Sequence, residues 1–200
     1  MLTMDGMGAA RIRGLLPAVH LQWVRDYYGE RVAIRVLSIL PPEAAVEVNG
    51  AIPSGWCSFE SLLLLDVAIT EVCGRDARQT YRDLGRYTAH VGLTDTERAM
   101  IRSDVHRFLR CFAVRDALFQ DRGTCRYAQD GPARGMVIAD GAHAWSRVHC
   151  DTMAGWLEQV LEVHGARAVR VDEPLCRASE ADRCAFLLEW QSTLASHSTT

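Results

Sequence analysis

The chain has 200 residues, of which 48% are hydrophobic and 24% are charged, and its formal net charge is -3 at pH 7. Such a composition excludes disorder and is typical of a globular chain with one large core or two modest ones. All 22 positive charges are arginine, so the chain has no lysine for a Schiff base, for a phosphate loop or as an amine nucleophile.

Charge and hydropathy also indicate which partners to expect. The arginines are scattered without a run of like charges, which argues against a nucleic-acid partner. The longest strongly apolar stretch, residues 62–69, is interrupted by Asp66 and is far shorter than the roughly 20 residues that cross a bilayer. The first eight residues lack the features of a secretory signal. We therefore expect a cytoplasmic protein without a membrane partner, whose seven cysteines are thiols or metal ligands.

The first two thirds of the chain have the apolar spacing and the end signals of helices. The Pro41-Pro42 pair ends the second predicted helix, and residues 43–57 have the turn residues of a loop. The sequence Thr94-Asp95-Thr96-Glu97 matches a capping box, which predicts that a long helix or a helix pair begins there. The predicted helices run from Pro17 to Gly29, on to Leu40, from Ser58 to Gly74, from Asp76 to His90, and from Thr94 to Phe119.

Short apolar runs bounded by turn residues follow from Gly123 onwards. We expect three strands in a meander, then an amphipathic helix, then two more strands. The predicted class is α+β, with N-terminal helices packed on a C-terminal antiparallel sheet that one helix crosses. We expect a single domain over residues 1–200, with a mainly helical half (10–120) and a strand-rich half (123–191). The predicted elements are strands 125–129, 135–139 and 144–149, a helix from 151 or 152 to 164, and strands 168–172 and 184–190.

Four potential metal ligands fall within 35 positions of the strand-rich half: Cys150, Glu173, Cys176 and Cys184. Each lies at the end of a predicted element, so the four can converge at one edge of the sheet. Three thiolates and a carboxylate would fill a closed tetrahedral shell, which predicts a structural zinc ion with no vacant position for water. Three alternatives stay open: iron in place of zinc, cysteines that are simply buried thiols, and His149 in place of Glu173.

The segment 150–190 resembles the 4-vinyl-reductase-type domain, especially the sensory domain of phenol-responsive, sigma-54-dependent bacterial activators. The resemblance is carried by Cys150 with Gly155, by Glu173-Pro-Leu-Cys176-Arg177, and by Asp182-Arg-Cys184 before an apolar strand. It implies that the two motifs and the upstream cysteine bind zinc. Apart from the resemblance, the negative charge of such a shell makes Arg177 and Arg183, each beside a predicted ligand, the expected compensating cations. It also implies a distant fold relationship to haem-based nitric-oxide sensors and to a vesicle-tethering subunit.

The same resemblance implies a pocket for a small hydrophobic or aromatic molecule between the middle helices and the sheet. His106 is the candidate for gripping a ligand hydroxyl, although its arginine neighbours at 102, 107 and 110 equally fit an exposed helix face. The candidate pocket walls are aromatic residues, each of which also fits a core position: Phe108, Phe112, Tyr127, Trp145 and Trp56.

No catalytic motif is visible in the sequence, so the chain is expected to be a binding protein rather than an enzyme. The main hypothesis is a cytoplasmic, zinc-stabilised sensor domain that binds a small molecule and acts through a protein partner. One alternative is a carrier or accessory protein of tetrapyrrole metabolism. The other is a ligand-free interaction module whose helices at 17–40 and 58–73 form a homodimer.

Overall fold

Helices form the first part of the chain and a four-stranded sheet the last part, in a computed structural model that describes residues 10–115, 121, 123–140 and 146–191. The helices are α1 (Leu15–Tyr28), α2 (Glu30–Ser38), α3 (Pro42–Asn49), α4 (Phe59–Cys73), α5 (Ala77–Gly92), α6 (Asp95–Ser103), α7 (Val105–Arg115) and α8 (Arg147–Val163). The strands are β1 (Arg11–Arg13), β2 (Trp56–Ser58), β3 (Thr124–Gln129), β4 (Arg134–Asp140), β5 (Arg167–Leu175) and β6 (Cys184–Gln191).

The sheet has the strand order β3-β4-β6-β5, and all its pairings are antiparallel. Helix α8 connects β4 to β5, and the side chains along β4 alternate between buried and partly exposed. The predicted α+β class, with helices and an antiparallel sheet, is therefore confirmed.

Two apolar cores meet along helix α5. Ala89 and Leu93 at its end belong to a core between the sheet, α7 and α8. Tyr81 and Leu84 nearer its start belong to a core among α1, α2 and α4. The apolar faces proposed for a homodimer thus pack largely against one another within the chain, and the homodimer stays a prediction.

Helices α5 and α8 cross at two glycines. A Cβ atom at Gly85 would lie 1.8 Å from the Thr152 carbonyl oxygen, and one at Gly155 would lie 2.0 Å from the Arg82 carbonyl oxygen. Only glycine permits backbones to approach this closely. Ion pairs surround the crossing, where Arg82 pairs with Glu158 and donates to the Val171 carbonyl at 3.2 Å. These two contacts of Arg82 tie α5 to both α8 and β5.

Two predicted elements differ from the structure. The third strand of the meander is wrong over 147–149, because α8 begins at Arg147 and its first turns are buried against other helices. The predicted loop 43–57 contains most of α3 and the start of β2, and β2 pairs with β1 in a separate two-stranded sheet. Of the two forms predicted from Thr94, a long helix or a helix pair, the structure shows the pair: α6 and α7 are separated at Asp104, whose backbone is extended.

Candidate functional site

Cys150, Glu173, Cys176 and Cys184 come together where α8 begins and where β5 and β6 meet. One ligand atom from each residue lies within 4.8 Å of the others. All three cysteines are buried, and the Glu173 side chain is only 5% exposed. We call these four residues the thiol cluster. Its members come from separate elements, so the fold and not local sequence brings them together.

Hydrogen bonds set an order of acidity within the thiol cluster. The sulfurs of Cys150 and Cys184 are 3.4 Å apart, and those of Cys176 and Cys150 are 4.0 Å apart. Cys184 accepts from the Cys150 thiol and from the backbone N–H of Arg177, and these bonds lower its pKa. The bond to Cys184 and then burial raise the pKa of Cys150, while burial raises that of Cys176.

Arg147, in the first turn of α8, compensates the negative charge beside the cluster. Its guanidinium donates to Glu173 Oε2 at 3.0 Å and also lies 3.6 Å from Asp151. The other carboxylate oxygen, Glu173 Oε1, is buried without a hydrogen-bond partner among the described residues. A buried carboxylate oxygen without a donor is costly, so its place beside three sulfurs calls for a cationic or protonated neighbour.

A mainly apolar cavity of about 110 Å³ lies on the other side of α8's first turns. It is bounded by the start of α1 and by α5, α7 and α8. Phe108, Phe112 and Trp156 form one wall as nearly parallel rings, and the Phe112 and Trp156 centroids are 4.2 Å apart. Other residues that line the cavity are Leu15, Leu16, Thr88, Gly92, Glu97, His149, Thr152 and Met153.

The structure separates the predicted ligand-binding residues into two groups. Phe108 and Phe112 line the cavity, but His106 and Tyr127 do not. The Tyr127 hydroxyl donates to His106 Nδ1 at 2.6 Å, because His106 Nε2 must carry the proton that it donates to the Pro132 carbonyl at 3.1 Å. Burial raises the pKa of Tyr127 to about 12. This pair joins α7 to the β3–β4 hairpin, and Trp145 lies outside the described residues.

His149 faces the cavity and is not part of the thiol cluster. Its ring meets the edge of Phe59 at a centroid distance of 5.1 Å. Consecutive residues of a helix point about 100° apart, so His149 and Cys150 reach different sites. The alternative that put His149 in place of Glu173 therefore has no support from this geometry.

Sequence reasoning missed a buried pair formed by His20 of α1 and Asp66 of α4. Their side chains are 0% and 1% exposed, and His20 Nδ1 lies 2.6 Å from Asp66 Oδ1. The visible signal was an acid within the apolar stretch 62–69, since a buried charge requires a partner. Neither residue lines the cavity or belongs to the thiol cluster.

The sequence matches no family model, and the search of curated proteins gives no match. Solved structures do match. An Fe(II) unliganded H-NOX mutant from K. algicida has a TM-score of 0.70 at 12% identity, with 92% of this chain and 98% of that chain covered. The chain has the H-NOX fold.

Two further matches extend this finding. An H-NOX protein from S. oneidensis in the Fe(II)NO state gives a TM-score of 0.64 at 13% identity, with coverage of 90% of this chain and 100% of the other. An oxygen-binding H-NOX domain, described as related to soluble guanylate cyclases, gives a TM-score of 0.64 at 12% identity. That match covers 94% of this chain and 100% of the other. The likeness spans both the helices and the sheet.

These matches correct two expectations. The assignment to the 4-vinyl-reductase-type domain is wrong, because the structures that match the chain are H-NOX domains. The carrier role in tetrapyrrole metabolism loses the resemblance that suggested it and stays an untested prediction. Structural zinc as the cofactor is wrong as well, since the matched structures are described with Fe(II) or heme.

In the part of the chain that the structure describes, no helix is both long enough and apolar enough to cross a membrane.

Proposed function

We propose that this chain is a small-molecule sensor domain that binds its ligand in the apolar cavity and acts through a protein partner. The cavity is the observation that carries the proposal, since four helices from both halves of the fold enclose it. Concave, mainly apolar spaces are the usual small-molecule sites. The matched H-NOX structures support the proposal, because they include an oxygen complex and an Fe(II)NO state.

Helix α8 is the element that would carry the signal. Its residues Thr152, Met153 and Trp156 line the cavity, whereas Cys150 belongs to the thiol cluster and Glu158 to the ion pairs with α5. The backbones of α5 and α8 are in direct contact at the glycine crossing, so no space is left in which α8 could move independently. A ligand that displaces α8 therefore also displaces the contacts of α8 with the sheet. A sensor requires this kind of link between its ligand and a distant surface.

Tryptophan fluorescence tests whether the cavity is the ligand site. A small apolar compound that binds there should change the emission of Trp156, and the change should disappear in Trp156→Phe. The matched control is Trp190→Phe, which removes a buried tryptophan of β6 that does not line the cavity. A ligand-induced change that is lost in the control and kept in Trp156→Phe would reject the cavity as the site.

Hydrogen exchange tests the signalling step. Ligand binding should change the exchange of amides in α8 and in the β5 segment bonded to Arg82, because both contact the crossing. A compound that binds in the cavity and alters exchange only at its own contacts would argue for a binding protein without a sensing role.

The thiol cluster is a second site, and we propose that its four residues bind a thiophilic transition-metal ion. The specific observation is that the three buried sulfurs and a Glu173 carboxylate oxygen converge within 4.8 Å, where the thiols are the hydrogen-bonding groups beside that carboxylate. A metal ion would satisfy that oxygen and draw protons from the thiols. Thiolate-rich sets favour soft and borderline metals over magnesium or calcium.

Cobalt(II) is a suitable probe, because thiolate coordination gives it intense absorption. Protein stripped with a chelator should bind close to one cobalt ion per chain with thiolate charge-transfer bands. Cys176→Ser should lose these bands, whereas Cys57→Ser should retain them because Cys57 is buried elsewhere, in β2. Absence of the bands in a folded parent protein would reject the metal site.

A further inference from the structure

The cavity is much smaller than a haem site requires. Its volume of about 110 Å³ lies below the 300–1,000 Å³ that is usual for small-molecule and cofactor pockets. An apolar cavity of about 150 Å³, by comparison, binds benzene or xenon. Haem is a tetrapyrrole several times the size of benzene, so this space accommodates it only if the surrounding helices separate.

The charges around the cavity also disagree with haem. Among the described residues that line the cavity, Glu97 carries a formal negative charge, and none is an arginine or a lysine. Haem carries two carboxylates, which require cationic or hydrogen-bonding partners when they approach a protein wall. The Glu97 carboxylate is already engaged in the capping box with Thr94. A dianionic ligand beside Glu97 would meet repulsion rather than a partner.

The hydroxyl groups of the lining are committed to their own helices. Thr88 donates to the Leu84 carbonyl at 2.9 Å, and Thr152 donates to the Val148 carbonyl at 3.1 Å. These bonds use the proton that each hydroxyl could offer to a ligand. Apart from the His149 ring, recognition in this cavity therefore rests on apolar contact area and shape.

The aromatic wall leaves no gap between its stacked rings for a flat ligand. Phe112 and Trp156 stack at a centroid distance of 4.2 Å with 25° between their planes. That is close to direct ring contact, so a planar ligand cannot enter between them. A compact molecule can instead lie against the exposed ring faces.

From these observations we propose that the cavity does not hold haem and directly binds a small, uncharged, apolar molecule of about the bulk of xenon or benzene. The inference rests on the proposed function, because it names the ligand class of the same cavity. It departs from the matched structures in chemistry while keeping their fold, since the ligand here contacts protein side chains alone.

Gly92 offers a way to close the cavity without breaking the fold. It is exposed and lines the cavity, and a Cβ atom there would meet nothing within 4 Å. Gly92→Phe therefore places a ring in open space at the cavity opening. Val91→Phe is the matched control, because Val91 is the preceding residue, is 47% exposed and does not line the cavity.

The experiment measures binding of benzene, ethylbenzene and hemin to the purified full chain. Benzene should raise the melting temperature, ethylbenzene should raise it less, and hemin should show no shifted Soret band. The benzene effect should fall at least tenfold in apparent affinity in Gly92→Phe and persist in Val91→Phe. Phe112→Ala, which enlarges the cavity, should shift the preference towards ethylbenzene.

The outcomes separate the two proposals. Stoichiometric hemin binding that Gly92→Phe abolishes would overturn the apolar-ligand inference but retain a small-molecule site in the cavity. Benzene binding that is equal in Gly92→Phe and Val91→Phe would overturn the inference by placing benzene elsewhere. A folded protein that binds none of the three probes would overturn both this inference and the proposed function.

Discussion

The substitution Gly155→Ala tests whether the glycine crossing holds the two halves of the fold together. The new Cβ would lie 2.0 Å from the Arg82 carbonyl oxygen and 2.7 Å from two further backbone atoms of Arg82. Ordinary contact begins near 3.4 Å, so α5 and α8 would have to separate by about 1.4 Å, the difference between these two distances. Backbone atoms cannot rotate away as a side chain can, and the separation also strains the Arg82–Glu158 pair.

The expected loss of stability follows from two opposing effects. Overpacking of this kind costs roughly 1–3 kcal/mol, and contact with backbone favours the upper end. Alanine regains about 1 kcal/mol of helix propensity over glycine. The net loss is therefore about 2 kcal/mol, which corresponds to a fall in melting temperature of roughly 4–8 °C for a domain of this size.

Thermal and urea denaturation measure this loss directly. Gly92→Ala is the matched control, because it lies in α5 and its Cβ would meet nothing within 4 Å. The control should be neutral or stabilise the protein by up to about 1 kcal/mol. The account of the crossing fails if Gly155→Ala melts within one degree of the parent protein.

Three further substitutions probe the rest of the fold by denaturation. Glu158→Gln removes the negative partner of Arg82 at a position that is 16% exposed, and should lower the free energy of unfolding by about 1–3 kcal/mol. Glu162→Gln, at a position that is 40% exposed, should lower it by less than about 1 kcal/mol. Equal losses in the two variants would contradict this ranking. Leu161→Ala leaves a cavity at a fully buried position and should lower the free energy of unfolding by about 2–5 kcal/mol. A loss below about 1 kcal/mol would contradict the placement of Leu161 in the core. Burial favours neutral Tyr127 by raising its pKa from 10.0 to about 12, so its contribution is complete below pH 10 and lost as the pH rises through 12. Between pH 10 and pH 12, Tyr127→Phe should lose less unfolding free energy than the parent protein does. Its absorbance titration at 295 nm should also lack one tyrosine that ionises late. An unchanged titration would contradict the raised pKa of Tyr127.

Helix boundaries that depend on local chemistry could be predicted from the sequence. Thr94 and Glu97 form the predicted capping box, with each side chain bonded to the other residue's backbone N–H. Asp76 caps α5 by accepting from the Gln79 N–H at 2.8 Å. These interactions join residues three positions apart, so the sequence alone contains the whole interaction.

The start of α8 could not be predicted in the same way. The sequence pattern predicts the end of a strand at 147–149, yet the structure buries His149, Cys150, Asp151 and Thr152 in helical turns. Contacts with Phe59 and with α5 decide this conformation, and they come from distant parts of the chain. Tertiary packing therefore overrides local propensity here.

The thiol cluster and the cavity were predictable to different degrees. Cys150, Glu173, Cys176 and Cys184 stood out because four ligand-type residues lay at element ends, and the structure places them together. Arg147 was missed because its pairing with Glu173 requires α8 to begin early. The cavity depends on how closely α5 and α8 approach, a distance that the sequence pattern does not encode.

A crystal pressurised with xenon gives the most direct test of how this cavity is used. Anomalous scattering should locate a xenon atom among Leu16, Phe112 and Met153, and the site should be lost in Gly92→Phe. Xenon density confined to other parts of the molecule, with the cavity left without it, would contradict direct binding of small apolar molecules.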